Sequence, residues 1–317
     1  MQKVPIVGIT LAAGSTFSLV PAEGRARELK LLSEYVAQDE TQQPDSTVNA
    51  EIVYVGYGIE APEYQWDDYK GVDVKGKVLL MLVNEPTSDD PKFFKSKALT
   101  YYGRWTYKYE EAARRGAVGA ILIHQTEMAS YPWEVVRNSN SGEKSYLKLD
   151  GSPKLKVASW IHLDAAKELA AMAGLDVDQM MAQARSRDFR PVVLPVKLQA
   201  HMVSKVRPFE SNNVIAMLPG SDAKLKTEAV MYTAHYDNLG IRPDMAGDNI
   251  DNGADDNATG CGILMEKTDA YTMAAQKARR SSLVASVTPE APDLIGSEYR
   301  GRHPADQTAE MTRCLAL

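Results

Sequence analysis

The chain has two cysteines in 317 residues, Cys261 and Cys314. Two are too few for a disulfide framework or a zinc ribbon. No apolar run approaches the roughly 20 residues needed to span a bilayer. Positive charge is in deficit: 36 Lys and Arg stand against 42 Asp and Glu, a net of −6. That argues against nucleic acid as the main partner, because phosphate binding needs a basic face. Internal repeats and low-complexity tracts are missing too. So is the G-x-S-x-G elbow of serine hydrolases. Ser141-x-x-Lys144 and Ser221-x-x-Lys224 match S-x-x-K, but both fall in loop-like sequence. At 44% hydrophobic and 25% charged residues, the remainder is ordinary globular material with length for about two domains.

The opening "MQKVPIVGITLAAGSTFSLV" has the order of a secretory leader: Lys3, an apolar run, then small residues. Pro5, Gly8 and Gly14 interrupt the run, and a β-strand is the better expectation. A polar connector ending in "AQDETQQPDS" should follow. From residue 48 the pattern is regular. "AEIVYVGYGI" reads as a strand. "KGKVLLMLVNEP" and "AVGAILIH" are continuous apolar runs, as expected of strands buried on both faces. Between them a helix should stop at Gly116 in a left-handed C-cap. "KVASWIHLDAAKELAAMAG" predicts a strand and then a helix ending at Gly174, and a further helix carries Met180 and Met181.

"PVKLQAHMVSKV" alternates strictly and predicts a half-exposed strand at a sheet edge. "NNVIAMLPGSD" predicts another strand, closed by the turn pair Pro219-Gly220. Then "TEAVMYTAH" (227–235), a helix from Asn257 as N-cap, and "RRSSLVASVT" (279–288) make one βαβ unit with a parallel strand pair.

In open α/β sheets ligands bind beyond the carboxyl ends of the strands. There this unit places His235-Tyr236-Asp237, the loop "GDNIDNGADDNATG" and Glu290. Imidazole with carboxylates is a donor set that suits Zn²⁺, with Mn²⁺ or Co²⁺ possible. His-x-Asp adds a carboxylate able to hold the imidazole's other N–H. On composition alone, a solvated turn cluster is the commoner fate of such a loop. A calcium loop fails, because Ile250 holds the third position and Thr259 the twelfth. A catalytic thiol at Cys261 would gain from its helix N-terminus but is opposed by the adjacent aspartates.

"TAHYDNLGI", "NGADDNATG" and "ASVT…LIGSEY" together resemble the zinc-dependent aminopeptidases of the aminopeptidase Y and bacterial leucyl aminopeptidase type. "DYKGVDVKGKVLLMLVNEP" and "AARRGAVGAILIH" resemble the protease-associated (PA) domain often inserted in them. The resemblance implies an α/β fold, a partial zinc-exopeptidase αβα sheet carrying a β-rich α/β PA domain. On this division, residues 1–47 begin the peptidase domain, 48–190 are PA-like, and 191–317 continue the peptidase domain. It implies a metal site with two zinc ions acting on the N-termini of peptides or proteins, in relatives that are usually periplasmic or secreted. His235 would bind one zinc, Asp237 would orient His235, and Asp256 would bridge the two ions. Asp255 would be structural. Glu290 would be the general base.

The sequence also departs from that pattern. Ala291 stands where the family has a second glutamate as ligand, and Pro289, Pro292 and Asp293 replace small residues. The family's remaining Asp and His ligands have no counterpart, and the tail "ADQTAEMTRCLAL" does not resemble the expected strand. The expectation is therefore a fragment of such an enzyme. Three alternatives stand: a metallo-aminopeptidase, an inactive PA-type module that binds a peptide or partner, and a binder of one divalent ion. Tyr101, Tyr102, Trp105, Tyr107 and Trp133 could form a partner surface, although core and turn positions are the commoner outcome for such residues.

Overall fold

The structure is a computed structural model that describes residues 1–88, 90, 92–94, 98–241, 246–289, 294–304 and 310–316. The strands used below are β1 (Gln2–Leu11), β2 (Thr16–Pro21), β3 (Tyr35–Gln38), β4 (Asp45–Tyr54), β5 (Val78–Leu82), β6 (Gly119–Ile123), β7 (Lys144–Leu147), β8 (Val157–Ile161), β9 (Val192–Leu218), β10 (Glu228–His235), β11 (Ser281–Val287) and β12 (Glu310–Ala316). The helices are α1 (Trp105–Arg114), α2 (Leu163–Met172), α3 (Val177–Ala184), α4 (Thr259–Met273) and α5 (Ile295–Arg302). The fold is α/β with mixed sheet. Contacts divide it into a larger unit, Ile9–Lys144 with Leu149–Val206, and a smaller one, Met1–Gly8 and Ser145–Lys148 with Arg207–Leu317. Residues 9–47 thus pack with the block that follows them. Where the sequence suggests one short strand and a connector, they form β2, β3 and the ends of β1 and β4.

In the larger unit β4, β5, β6 and β8 run parallel, with β3 antiparallel beyond β8. Every residue of β5, β6 and β8 is buried, as the unbroken apolar runs of β5 and β6 predict. Alternate side chains feed two cores. Leu80, Ile121 and Val157 meet α2 and α3 through Leu169, Val177 and Met180. Leu79, Leu122 and Trp160 meet α1 through Tyr109, Ala112 and Ala113. Helix α1 ends where expected: Gly116 has φ +75° and its N–H donates to the carbonyl of Ala113 at 2.9 Å.

The alternating stretch 196–203 is not at an edge. Residues 196–201 of β9 pair antiparallel with β2 on one side, and residues 197–203 pair with β4 on the other. Alternation reports that one face of a strand meets water; an interior strand of an antiparallel region satisfies it equally well. Nor does the strand stop there: β9 continues to Leu218, joining two stretches that read as separate in sequence. Of the five aromatic residues weighed as a surface, Tyr107 and Trp133 are buried, Trp105 and Tyr102 are half-buried, and Tyr101 is exposed.

One polar cluster lies inside this unit. Lys108 of α1 is fully buried, with Nζ 5.7 and 6.0 Å from the ring centroids of Tyr107 and Tyr57. Burial pushes its ammonium down to about 7, against the pull of Asp68 and Glu85. Asp68 is buried too and is pushed up to about 7, although it accepts from Ile59 N at 3.0 Å. Glu85 accepts from Thr100 N at 2.9 Å and Oγ1 at 2.5 Å.

The smaller unit contains the expected βαβ. Strands β10 and β11 are parallel, and α4 lies between them in sequence. The last residues of β9, 214–218, pair antiparallel with β11. The tail does not resemble the strand expected of the family, yet 310–316 form β12, parallel to β10. Its position comes from the neighbouring ladder rather than from a strong pattern of its own. Ala229, Met231, Leu283, Ala285 and Val287 form the core of this sheet. A second small cluster joins Val4 and Ile6 of β1 to Ile295 of α5, consistent with a strand at the chain start.

Candidate metal centre

Strand β10 delivers His235 to its carboxyl end, and the next residue still belongs to the ladder: Tyr236 N donates to Val287 O at 3.2 Å. The chain then returns to the same edge through the turn 254–258 that leads into α4. In that turn Asp256 and Asn257 leave helical geometry, with φ −121° and −142°, and their shared peptide bond is cis. Asn257, expected as the N-cap of α4, stands one residue before the N-cap position, Ala258, and its Oδ1 accepts from Gly260 N at 3.0 Å.

This geometry brings together two of the expected ligands. His235 Nε2 lies 2.9 Å from Asp256 Oδ1. The imidazole is largely covered, with 16% of the side chain accessible, whereas the Asp256 carboxylate is 85% accessible and faces incoming solutes. The other ring nitrogen, Nδ1, is 3.0 Å from the carbonyl oxygen of Asp237 and 3.9 Å from its carboxylate Oδ1. Nδ1 faces a carbonyl, which can only accept, and so donates there; Nε2, which faces the Asp256 carboxylate, is the nitrogen a cation would take. The orientation expected from the Asp237 side chain is thus supplied at closest range by the Asp237 main chain.

Glu290, Ala291 and Asp293 fall outside the described residues. Among the described residues no group of three or more His, Cys, Asp or Glu side chains could hold a metal ion. His235 and Asp256 fit a divalent cation in donor type, and their 2.9 Å separation here is that of a direct ion pair. They are two donors, where a catalytic zinc takes about three from the protein plus water. Asp248 is exposed in the loop.

Two asparagines and Cys261 make further contacts at this end of the sheet. Asn238 Nδ2 donates to Asp256 O at 2.5 Å. Cys261 Sγ donates to His235 O at 3.2 Å, and burial raises its thiol above the usual range, which speaks against a nucleophilic thiolate. Asn213, fully buried, accepts from Thr288 N at 3.1 Å and donates to Gly296 O at 2.9 Å, so it braces the end of β11. Asparagine side chains carry no periodicity, and only the fold shows which main-chain groups they reach.

Comparison with known proteins bears on this same region. Residues 213–315 match Peptidase family M28. The matched residues include His235, Asp237, Asp256 and Glu290. Among solved structures, the chain is similar to an aminopeptidase from Aneurinibacillus sp. strain AM-1, with 20% identity, 98% of this chain and 59% of that one covered, and a TM-score of 0.43. It is also similar to a peptidase M28 precursor from Shewanella amazonensis SB2B, with 17% identity, coverage of 95% and 57%, and a TM-score of 0.40. The chain therefore spans less than two thirds of either protein. No curated protein matches it. Among the described residues, no helix is long and apolar enough to cross a membrane.

Proposed function

We propose that the M28-matching region is a metallopeptidase centre of the aminopeptidase kind, in which His235 Nε2 and Asp256 bind zinc and Glu290 is the general base. The observation that carries this reading is the 2.9 Å approach of His235 Nε2 to Asp256 Oδ1, across 21 residues of sequence and at the carboxyl end of β10. A bound zinc would polarise the scissile carbonyl and acidify water. The protein's own part is to hold the ring through Nδ1–H, expose the Asp256 carboxylate, and place Glu290 after β11 to take a proton. Peptide N-termini are the proposed substrates, and the 48–190 block is the proposed PA-like domain.

A specific observation favours a second reading, a binder of one divalent ion. The described donors number two, and Ala291 occupies the aligned position of a further ligand. With His235 and Asp256 alone, an ion would be held loosely and turnover would be slow or nil.

Hydrolysis of aminoacyl-anilides in the presence of zinc separates the two. Turnover in the parent that vanishes in His235→Ala supports the peptidase. Zinc binding without turnover, with parent and His235→Ala equally inert, supports the binder and rejects the enzyme.

A further inference from the structure

The proposed ligands sit on separate pieces of chain, His235 at a strand end and Asp256 in a turn before a helix. Something has to fix the distance between them. The Asp256 side chain is mostly in solvent, and its turn has no buried apolar residue to anchor it.

Asn238 spans the gap. Its Nδ2 donates to the main-chain oxygen of Asp256 at 2.5 Å. Its Oδ1 accepts from Leu239 N at 2.5 Å, which fixes the amide's orientation: oxygen toward its own loop, nitrogen toward the turn. The opposite wall is Gly253. This residue has φ +64°, and a Cβ placed on it would run into the Asn238 amide and the Asp256 carbonyl. Glycine is therefore needed twice at 253, for its backbone angle and for the space the asparagine occupies. From Gly253 the turn closes on itself, since Gly253 O accepts from Ala258 N at 2.9 Å. Donor, glycine wall and closed turn together hold the Asp256 backbone against the segment that follows His235.

We infer that Asn238 is a positioning residue for the metal centre: its amide latches the 253–258 turn to the end of β10 and so sets Asp256 opposite His235. This rests on the ligand reading proposed above for that pair, but the latch itself exists without metal. Nδ2 touches a main-chain oxygen and donates to it, so Asn238 acts through Asp256 rather than as a ligand. An amide nitrogen is no donor to zinc, which separates this role from that of the aspartates around it.

The test uses the full chain and two variants. Asn238→Ala deletes the amide, and Asn238→Leu keeps its bulk without the donor. Two quantities are read: hydrogen exchange of the Ala258 and Gly260 amides in metal-free protein, and Co²⁺ titration followed by the visible ligand-field band. Both variants should lose protection at Ala258 and Gly260 while the thermal midpoint stays near the parent's. Both should bind Co²⁺ about 10-fold more weakly, with a weakened or shifted band, as when other groups that support a metal ligand are removed. Unchanged exchange in both variants would overturn the latch. Lost protection with unchanged Co²⁺ affinity and band would overturn the positioning role. If the parent takes up no Co²⁺, the ligand reading above fails and positioning fails with it, while the exchange arm still decides whether the latch exists.

Discussion

In the larger unit, β5, β6 and β8 have every residue buried, and α1, α2 and α3 each bury four or more side chains. In the smaller unit, β10 alternates buried and half-buried residues, and α4 buries Gly260 and Leu264 of its fifteen. Ile263, Met265 and Met273 on that helix are more than half exposed. Both regions are parallel strand–helix–strand arrangements, but they are held by different means. One is fixed by apolar packing. The other, which carries the candidate site, adds to a small apolar cluster asparagine and main-chain hydrogen bonds at strand ends. Site geometry in this chain is therefore sensitive to single polar contacts in a way that the larger core is not.

The largest expected effect lies in that core. Leu80→Ala should destabilise the larger unit by about 2–5 kcal/mol, the range for buried leucines, read from urea unfolding. Met265→Ala on the outer side of α4, a residue 66% exposed, should stay within about 0.5 kcal/mol. Equal costs at the two positions would remove the contrast between the units.

The pH effect nearest neutrality should come from the packed unit. Burial raises Asp68 to about 7, far above its value in an unfolded chain. Between about pH 4 and about pH 7 the folded state then holds a proton that the unfolded state has released. The stability from this group is complete below pH 4 and is lost as pH rises through 7. Asp68→Asn should flatten that slope in a stability-versus-pH series, and an unchanged slope would place its origin elsewhere.

The smallest effect belongs to the surface of the site-bearing unit. Asp222 accepts from Leu225 N at 3.0 Å, pairs with Arg279 at 2.8 Å and accepts from Lys224 N at 2.9 Å, and these contacts lower it to about 2. Its folded value is depressed, so its contribution is present above about pH 4 and is lost as pH falls toward 2. Asp222→Asn should make the acid limb slightly shallower there. A larger change than that of Asp68→Asn in its own window would contradict the ordering.

Much of this was legible in the residues. Continuous apolar runs marked β5 and β6, Gly116 marked the end of α1, and strand–loop–helix–strand order put His235 and the acidic loop at one sheet edge. The failures have physical causes. Alternation in 196–203 reports a wet face and says nothing about whether a strand has one neighbour or two. The tail 310–316 has a weak pattern, and pairing with β10 overrides it. His-x-Asp puts Asp237 beside the imidazole, with its main-chain oxygen 3.0 Å and its carboxylate 3.9 Å from Nδ1, an order the spacing does not give. Asn238 and Asn213 act on backbone atoms remote in sequence, which no spacing rule reveals.

The central claim is that His235 and Asp256 form one metal centre. Zinc bound per chain, measured by equilibrium dialysis for the parent, His235→Ala and Asp256→Ala, tests it most directly. The account predicts a dialysis-retained zinc in the parent that is lost in both variants. Zinc retained undiminished in Asp256→Ala, or none bound by the parent, would contradict it.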